Sequence, residues 1–176
     1  MLQQQTKSAS FIPQPGFNLI DSCKFHIRTG EDAATIAFLA AKMFKDPERL
    51  QPGLYELLLN AVEHGCLGMG YELKTKLLAN RTWQAEVARR QSLPDNRKKY
   101  AEVVIARKPE GIVVIVTDPG AGFDWKAWAS VDPARAAETH GHGIAKARGL
   151  SFDKLTYNEK GNQAVALSKN AAEMVW

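Results

Sequence analysis

Residues 54–65, LYELLLNAVEHG, place Leu54, Leu57, Leu58 and Ala61 at three- and four-residue spacing. That recurrence predicts an amphipathic helix with one buried face. Glu56 and Asn60 fall one turn apart on a different face, and Glu63 and His64 extend the polar stripe. A carboxylate and a carboxamide on one rigid helix suit two tasks. The carboxylate can take a proton, and the amide oxygen can hold a hard cation. In isolation an E-x-x-x-N pattern describes a solvated helix face, so its meaning depends on what the rest of the chain brings to it.

Downstream, residues 101–107 and 112–117 are apolar runs rich in β-branched side chains, and Lys108-Pro109-Glu110-Gly111 between them reads as a hairpin turn. The second run opens directly into Asp118-Pro119-Gly120-Ala121-Gly122-Phe123-Asp124, a glycine-rich loop of the kind that brings backbone close to a ligand. Residues 125–140, with Trp125, Trp128 and Pro133, read as a lid or connection. His140-Gly141-His142-Gly143-Ile144 comes next, then a helical AKARGL. Residues 152–157 and 163–168 form a last hairpin around 159–162. Upstream, residues 1–22 are a lead-in carrying Pro13 and Pro15, and residues 23–28 are a first strand. Glu31 and Asp32 suit the first turn of a helix running to about Phe44, which Asp46-Pro47 breaks. Pro52 falls near the start of the 54–65 helix, and Gly65 ends it or begins its unwinding.

This order predicts an α+β fold: a two-layer α/β sandwich with a mixed, mostly antiparallel sheet covered on one face by helices. The strands do not alternate with helices, which excludes a doubly wound nucleotide fold. The domain spans residues 23–169, with a tail at 170–176.

The chain has 176 residues, 45% of them hydrophobic, enough for one domain with a substantial core. Its formal charge is +4 and its pI about 9.1. The excess is local. Residues 68–99 hold eight Lys/Arg against three acids, a net +5 that leaves −1 elsewhere. This segment reads as a basic helical insert in which Leu73, Leu77, Trp83 and Val87 supply one or two amphipathic turns. It serves either as a docking surface or as a stabilising cover. No basic-aromatic platform or zinc-finger spacing accompanies it, so direct nucleic-acid binding is not expected. Two cysteines, Cys23 and Cys66, make neither a disulfide framework nor a metal site. No apolar run approaches membrane-spanning length, and MLQQQTKSASFIPQPG lacks the hydrophobic core of a secretory signal. The expected setting is soluble and cytoplasmic.

Three separated segments therefore line up: Glu56-x-x-x-Asn60, Asp118-x-Gly120-x-Gly122 and Gly141-x-Gly143. In this order they resemble the ATP-binding domain shared by gyrase-type ATPases, histidine kinases and anti-sigma-factor serine kinases, the GHKL superfamily or Bergerat fold. ELLLNAVEHG resembles its N box, DPGAGFD its first glycine box and GHGI its second. The resemblance covers residues 23–169 without the basic insert. It implies ATP and Mg²⁺ as cofactors. Asp118 would accept the exocyclic amino proton of adenine, and Gly120 and Gly122 would let the loop pass the base and ribose. Gly141, His142, Gly143 and Ile144 would offer backbone N–H groups at a helix start to phosphate oxygens. Asn60 would ligate Mg²⁺, and Glu56 would orient or deprotonate the group that attacks the γ-phosphate. No G-x-x-x-x-G-K-[ST] occurs, so P-loop chemistry is not expected.

Within the superfamily, NAVEHG and the compact size resemble the anti-sigma serine/threonine kinases of bacteria. The short segment before Cys23 holds no dimerising helical hairpin of the histidine-kinase type, and no transducer domain follows before Trp176. The resemblance implies a kinase that phosphorylates a STAS-type anti-anti-sigma protein, alternately holds a sigma factor and commonly forms a homodimer. Two other readings stand beside it: a non-catalytic ATP-binding regulatory module, and a stand-alone histidine-kinase-like domain. The chain departs from the family pattern in a bare GHGI and in GNQAVAL, where many relatives carry Thr after the glycine. Asn162 or Thr156 could supply the missing polar contact to adenine.

Overall fold

The computed structural model describes residues 16–128, 144 and 147–169. Gly141, His142, Gly143 and Lys146, the expected lid beyond Trp128, the first part of the lead-in and the 170–176 tail lie outside the described residues.

Strand β1 (Ser22–Ile27) leads into helix α1 (Gly30–Ala41). A reciprocal cap starts that helix. The Asp32 backbone N–H donates to the Thr29 hydroxyl at 3.0 Å, and the Asp32 carboxylate accepts from the Thr29 N–H at 3.0 Å. Helix α2 (Pro47–Asn60) begins about two turns ahead of the sequence expectation. Asp46-Pro47, read as a break, is its start: the Asp46 carboxylate accepts from the Arg49 N–H at 3.1 Å, and Pro47 occupies the first turn, where no N–H is needed. Pro52 consequently lies inside α2. Beyond Asn60 the backbone widens into a π-helical turn, Ala61–Cys66, closed by the Leu67 N–H on the Val62 carbonyl at 3.0 Å. Gly65 sits within that turn.

Strands β2 (Ala101–Lys108), β3 (Gly111–Thr117), β4 (Lys154–Tyr157) and β5 (Gln163–Lys169) complete a five-stranded sheet of order β1-β2-β3-β5-β4. All of its pairings are antiparallel, so the mixed component of the expectation is absent from the described sheet. Alternation sets the two faces. Val103, Ile105, Val114, Val116, Ala164 and Ala166 are buried, while the residues between them are only half-buried. The buried rows join Leu50, Leu54, Leu57 and Leu58 of α2 and the alanines of α1 in one core. Each such leucine contributes about 1.5–3 kcal/mol by leaving water. The result is α+β, with helices packed on one sheet face. Among the described residues no helix is long and apolar enough to cross a membrane.

The basic insert forms three helices where one or two turns were expected: α3 (Tyr71–Ala79), α4 (Trp83–Ser92) and α5 (Pro94–Arg97). Leu77, Trp83 and Val87 pack against the core. Two polar ties bind the insert to the end of α2. Arg90 Nη1 donates to the carbonyls of Leu67 and Gly68 at 2.9 and 2.8 Å. Lys74 Nζ reaches Glu63 at 2.6 Å and lies 4.8 Å above the Trp83 ring. Glu63 is only 5% exposed, so its charge depends on that ammonium. Lys74→Met should therefore destabilise the protein by about 3 kcal/mol, by stranding a buried carboxylate. Glu63→Met combined with Lys74→Met should recover most of the loss. Urea unfolding of the two variants checks both, and equal stability of the single and double variants would contradict the assignment.

Candidate functional site

A cavity of about 690 Å³ opens between α2, the end of the sheet and the root of the insert. Glu56, Asn60 and His64 enter it from the helix side, where i, i+4, i+8 spacing stacks them on one stripe. Glu56 and Asn60 are half-buried, and neither side chain has a hydrogen bond or ion pair among the described residues. Both are available to a ligand. His64 is committed differently, because its Nδ1 lies against the Met69 carbonyl. Glu63 has left the stripe for Lys74. The expected pair Glu56–Asn60 thus stands in the cavity, with Glu63 and His64 in supporting positions.

The opposite wall is the end of β3. The Asp118 N–H donates to the Asn162 carbonyl at 3.0 Å, and Asn162 Nδ2 donates back to the Asp118 carbonyl at 3.0 Å. Asp118 Oδ1 accepts from the Gly120 N–H at 2.8 Å, while Oδ2 has no partner among the described residues. Burial pushes the Asp118 carboxyl above its ordinary value of 3.8, against the lowering effects of the Gly120 N–H and the Lys160 ammonium. A carboxylate held this way is a fixed, poorly solvated acceptor.

Gly65 makes that placement possible. A methyl there would overlap the Asp118 carboxylate carbon, so the π turn can touch the sheet end only through a glycine. Gly122, at φ +81°, presses against the Lys160 carbonyl, and the Phe123 N–H donates to that same oxygen at 3.1 Å. Gly120 lies close to Gly65 and Asp118. Gly120 and Gly122 line the cavity, as the sequence reading expects of ligand-side glycines. Their lack of a side chain is also demanded by the protein's own backbone. Ile144 reaches the cavity as a half-buried apolar side chain.

Neither residue suggested for an additional polar contact lines this space. Asn162 is occupied with the Asp118 carbonyl and with Asn158, whose Nδ2 donates to Asn162 Oδ1 at 2.9 Å. Thr156 pairs with Val165 on the other sheet face and bonds its carbonyl at 3.5 Å. The residue the sequence reading missed is Tyr157, which lines the cavity. Its signal was present in the alternation: Leu155 and Tyr157 share a face, and Leu155 belongs to the core. Lys74 and Lys99 bring positive charge from the insert and its exit. Cys66 adds no nucleophile. Burial and the charge of Asp118 push its thiol up to about 12, although Lys99 and Arg28 pull the other way.

Among the described residues there is no group of three or more His, Cys, Asp or Glu that could hold a metal. The unpartnered Asn60 carboxamide beside the Glu56 carboxylate offers a smaller oxygen set. It suits Mg²⁺ that takes its remaining ligands from phosphate and water. Comparison with protein-family models, with curated proteins and with solved structures yields no match in any of the three.

Because the native Asp118 carboxyl is raised, the folded state holds this proton more tightly than the unfolded state. Stability from that proton is present below pH 3.8 and lost as pH rises through the native value. Asp118→Asn should therefore be more stable than wild type near pH 7, with the gap closing near pH 3. Urea midpoints at the two pH values measure it, and a variant no more stable than wild type near pH 7 would contradict the burial argument.

Proposed function

We propose that this protein binds ATP with Mg²⁺ and transfers its γ-phosphate to a serine or threonine of another protein, as a GHKL-type kinase of the anti-sigma class. The carrying observation is that Glu56, Asn60 and Asp118, from segments far apart in sequence, converge on one cavity with the Gly120–Gly122 loop at its rim. The cavity volume suits a nucleotide-sized ligand. On this reading Asp118 accepts the adenine amino proton. Asn60 holds Mg²⁺, which when bound offsets phosphate charge. Glu56 takes the proton from the attacking hydroxyl as its oxygen bonds to the γ-phosphorus and ADP leaves. Lys74 and Lys99 add a positive rim to the phosphate end. The family resemblance supplies the rest: a STAS-type anti-anti-sigma protein as substrate, a sigma factor as alternate partner, a homodimer, and a cytoplasmic setting.

The decisive experiment measures Mg-ATP binding and phosphate transfer to a STAS-type protein for wild type and Glu56→Ala. Glu56→Ala should bind ATP within about threefold of wild type and transfer phosphate roughly 10²–10⁴-fold more slowly, the usual loss for a general base. Wild type that binds ATP but transfers nothing identifies a regulatory module. An acid-labile phosphoprotein identifies a histidine-kinase-like activity. Asp118→Ala should lose most nucleotide affinity, because the adenine amino group is left unpaired. Asn60→Ala should lose the Mg²⁺ dependence of binding.

A further inference from the structure

Tyr157 ends β4 on the helix-covered face and stands beside Asp118 in the cavity wall. It pairs with Ala164, which pairs with Val116, so one row crosses the sheet from Tyr157 to a point two residues before Asp118. The small Ala164 in the middle of that row leaves room for a flat ring above it. Two aromatic neighbours from the glycine loop fix the Tyr157 ring. Phe123 meets it edge-on, with centroids 5.4 Å apart at 81°, and Trp125 stacks on it at 5.8 Å and 26°. Trp125 is itself held by its indole N–H on the Asn158 carbonyl at 3.1 Å. The Tyr157 hydroxyl, in contrast, makes no hydrogen bond among the described residues. Burial and the charge of Asp118 push this phenol above its ordinary value, which keeps it a donor at neutral pH.

We propose that Tyr157 is a base-reading residue that donates its hydroxyl proton to a ring nitrogen of adenine while Asp118 accepts from the neighbouring amino group. The proposal rests on the ATP reading of the cavity and deepens it. Adenine carries an unprotonated ring nitrogen on either side of its amino-bearing carbon, so an acceptor beside a donor matches it from both edges. Guanine places an oxygen acceptor where Asp118 needs a donor and carries a proton on one of those nitrogens. A rigid Asp–Tyr pair therefore selects adenine by leaving buried groups unpaired against the wrong base. It also fills the place for which Asn162 and Thr156 were candidates.

The test compares the full-length wild type with Tyr157→Phe, which keeps the ring and its two aromatic contacts. Calorimetric titration uses ADP, GDP, 1-deaza-ADP and 7-deaza-ADP, with thermal melts to establish that both proteins are folded. Tyr157→Phe should bind ADP about 5–10-fold more weakly, the effect of one hydrogen bond. One of the two deaza analogues should bind both proteins equally, which identifies the nitrogen that is read. Equal ADP affinity in the two proteins overturns the proposal. So does an equal loss across all four nucleotides, which would make Tyr157 a packing residue. A folded wild type that binds no adenine nucleotide overturns the ATP reading itself and this inference with it.

Discussion

The contact between Gly65 and Asp118 joins the two layers of this protein where they matter. A helix and a sheet normally keep a side chain's width between their backbones. Here the π turn that ends α2 meets the residue just past β3 through a glycine, with no Cβ to hold them apart. Leu54, Leu57 and Leu58 fix the helix on the buried sheet face, and the Gly65 contact fixes its far end. Glu56 and Asn60 on one side and Asp118 on the other are then placed by elements that cannot shift separately. The cavity between them is a consequence of packing, which is what gives its polar groups defined positions.

The wall is braced from outside by the basic insert. Much of its charge is spent internally: Lys74 on Glu63, Arg90 on the carbonyls just past the π turn, and Arg89 on Glu86. A buried Glu–Lys pair contributes little net stability, because desolvation offsets most of the attraction. It does fix register, since either partner misplaced leaves an unpaired charge in apolar surroundings. The carbonyls of Leu67 and Gly68 would otherwise be loose ends of the widened helix, and Arg90 satisfies both. Of the two roles open to this segment from sequence, a stabilising cover accounts for these contacts; its outer surface is a separate matter.

The glycine loop after β3 is packed as tightly as the core. Gly122 lies on the Lys160 carbonyl, Phe123 bonds it, and Trp125 and Phe123 flank Tyr157. The loop is thus bolted to the β4–β5 turn, and Asn162 secures that turn to Asp118. Acceptors held by such a framework need no reorganisation when a ligand arrives, so their solvation cost is met in advance by the fold.

Sequence alone determined the elements and most of the polar candidates. Period-two alternation in β2, β3 and β5, and the leucine stripe of residues 54–61, are local signals of which face is buried. They name the sheet, the helix layer and the Glu56–Asn60 stripe without further information. Local reading failed where meaning depends on a distant partner or on how far an element extends. Asp46-Pro47 read as a break because a cap and a break differ only in whether the next residues are helical. Glu63 read as part of the polar stripe because its partner Lys74 lies in the insert. Gly65 read as a helix terminator because the carboxylate it must clear is far along the chain. Tyr157 was passed over, while Asn162 and Thr156 drew attention for their amide and hydroxyl. Only the tertiary structure decided that Asn162 is consumed by the Asp118 backbone, that Thr156 faces the other side of the sheet, and that Tyr157 reaches the cavity. The physical reason is shared by these cases. Burial pattern is written in a segment's own periodicity, whereas the partner of a polar group, and the room it has, are set by whatever the fold brings beside it.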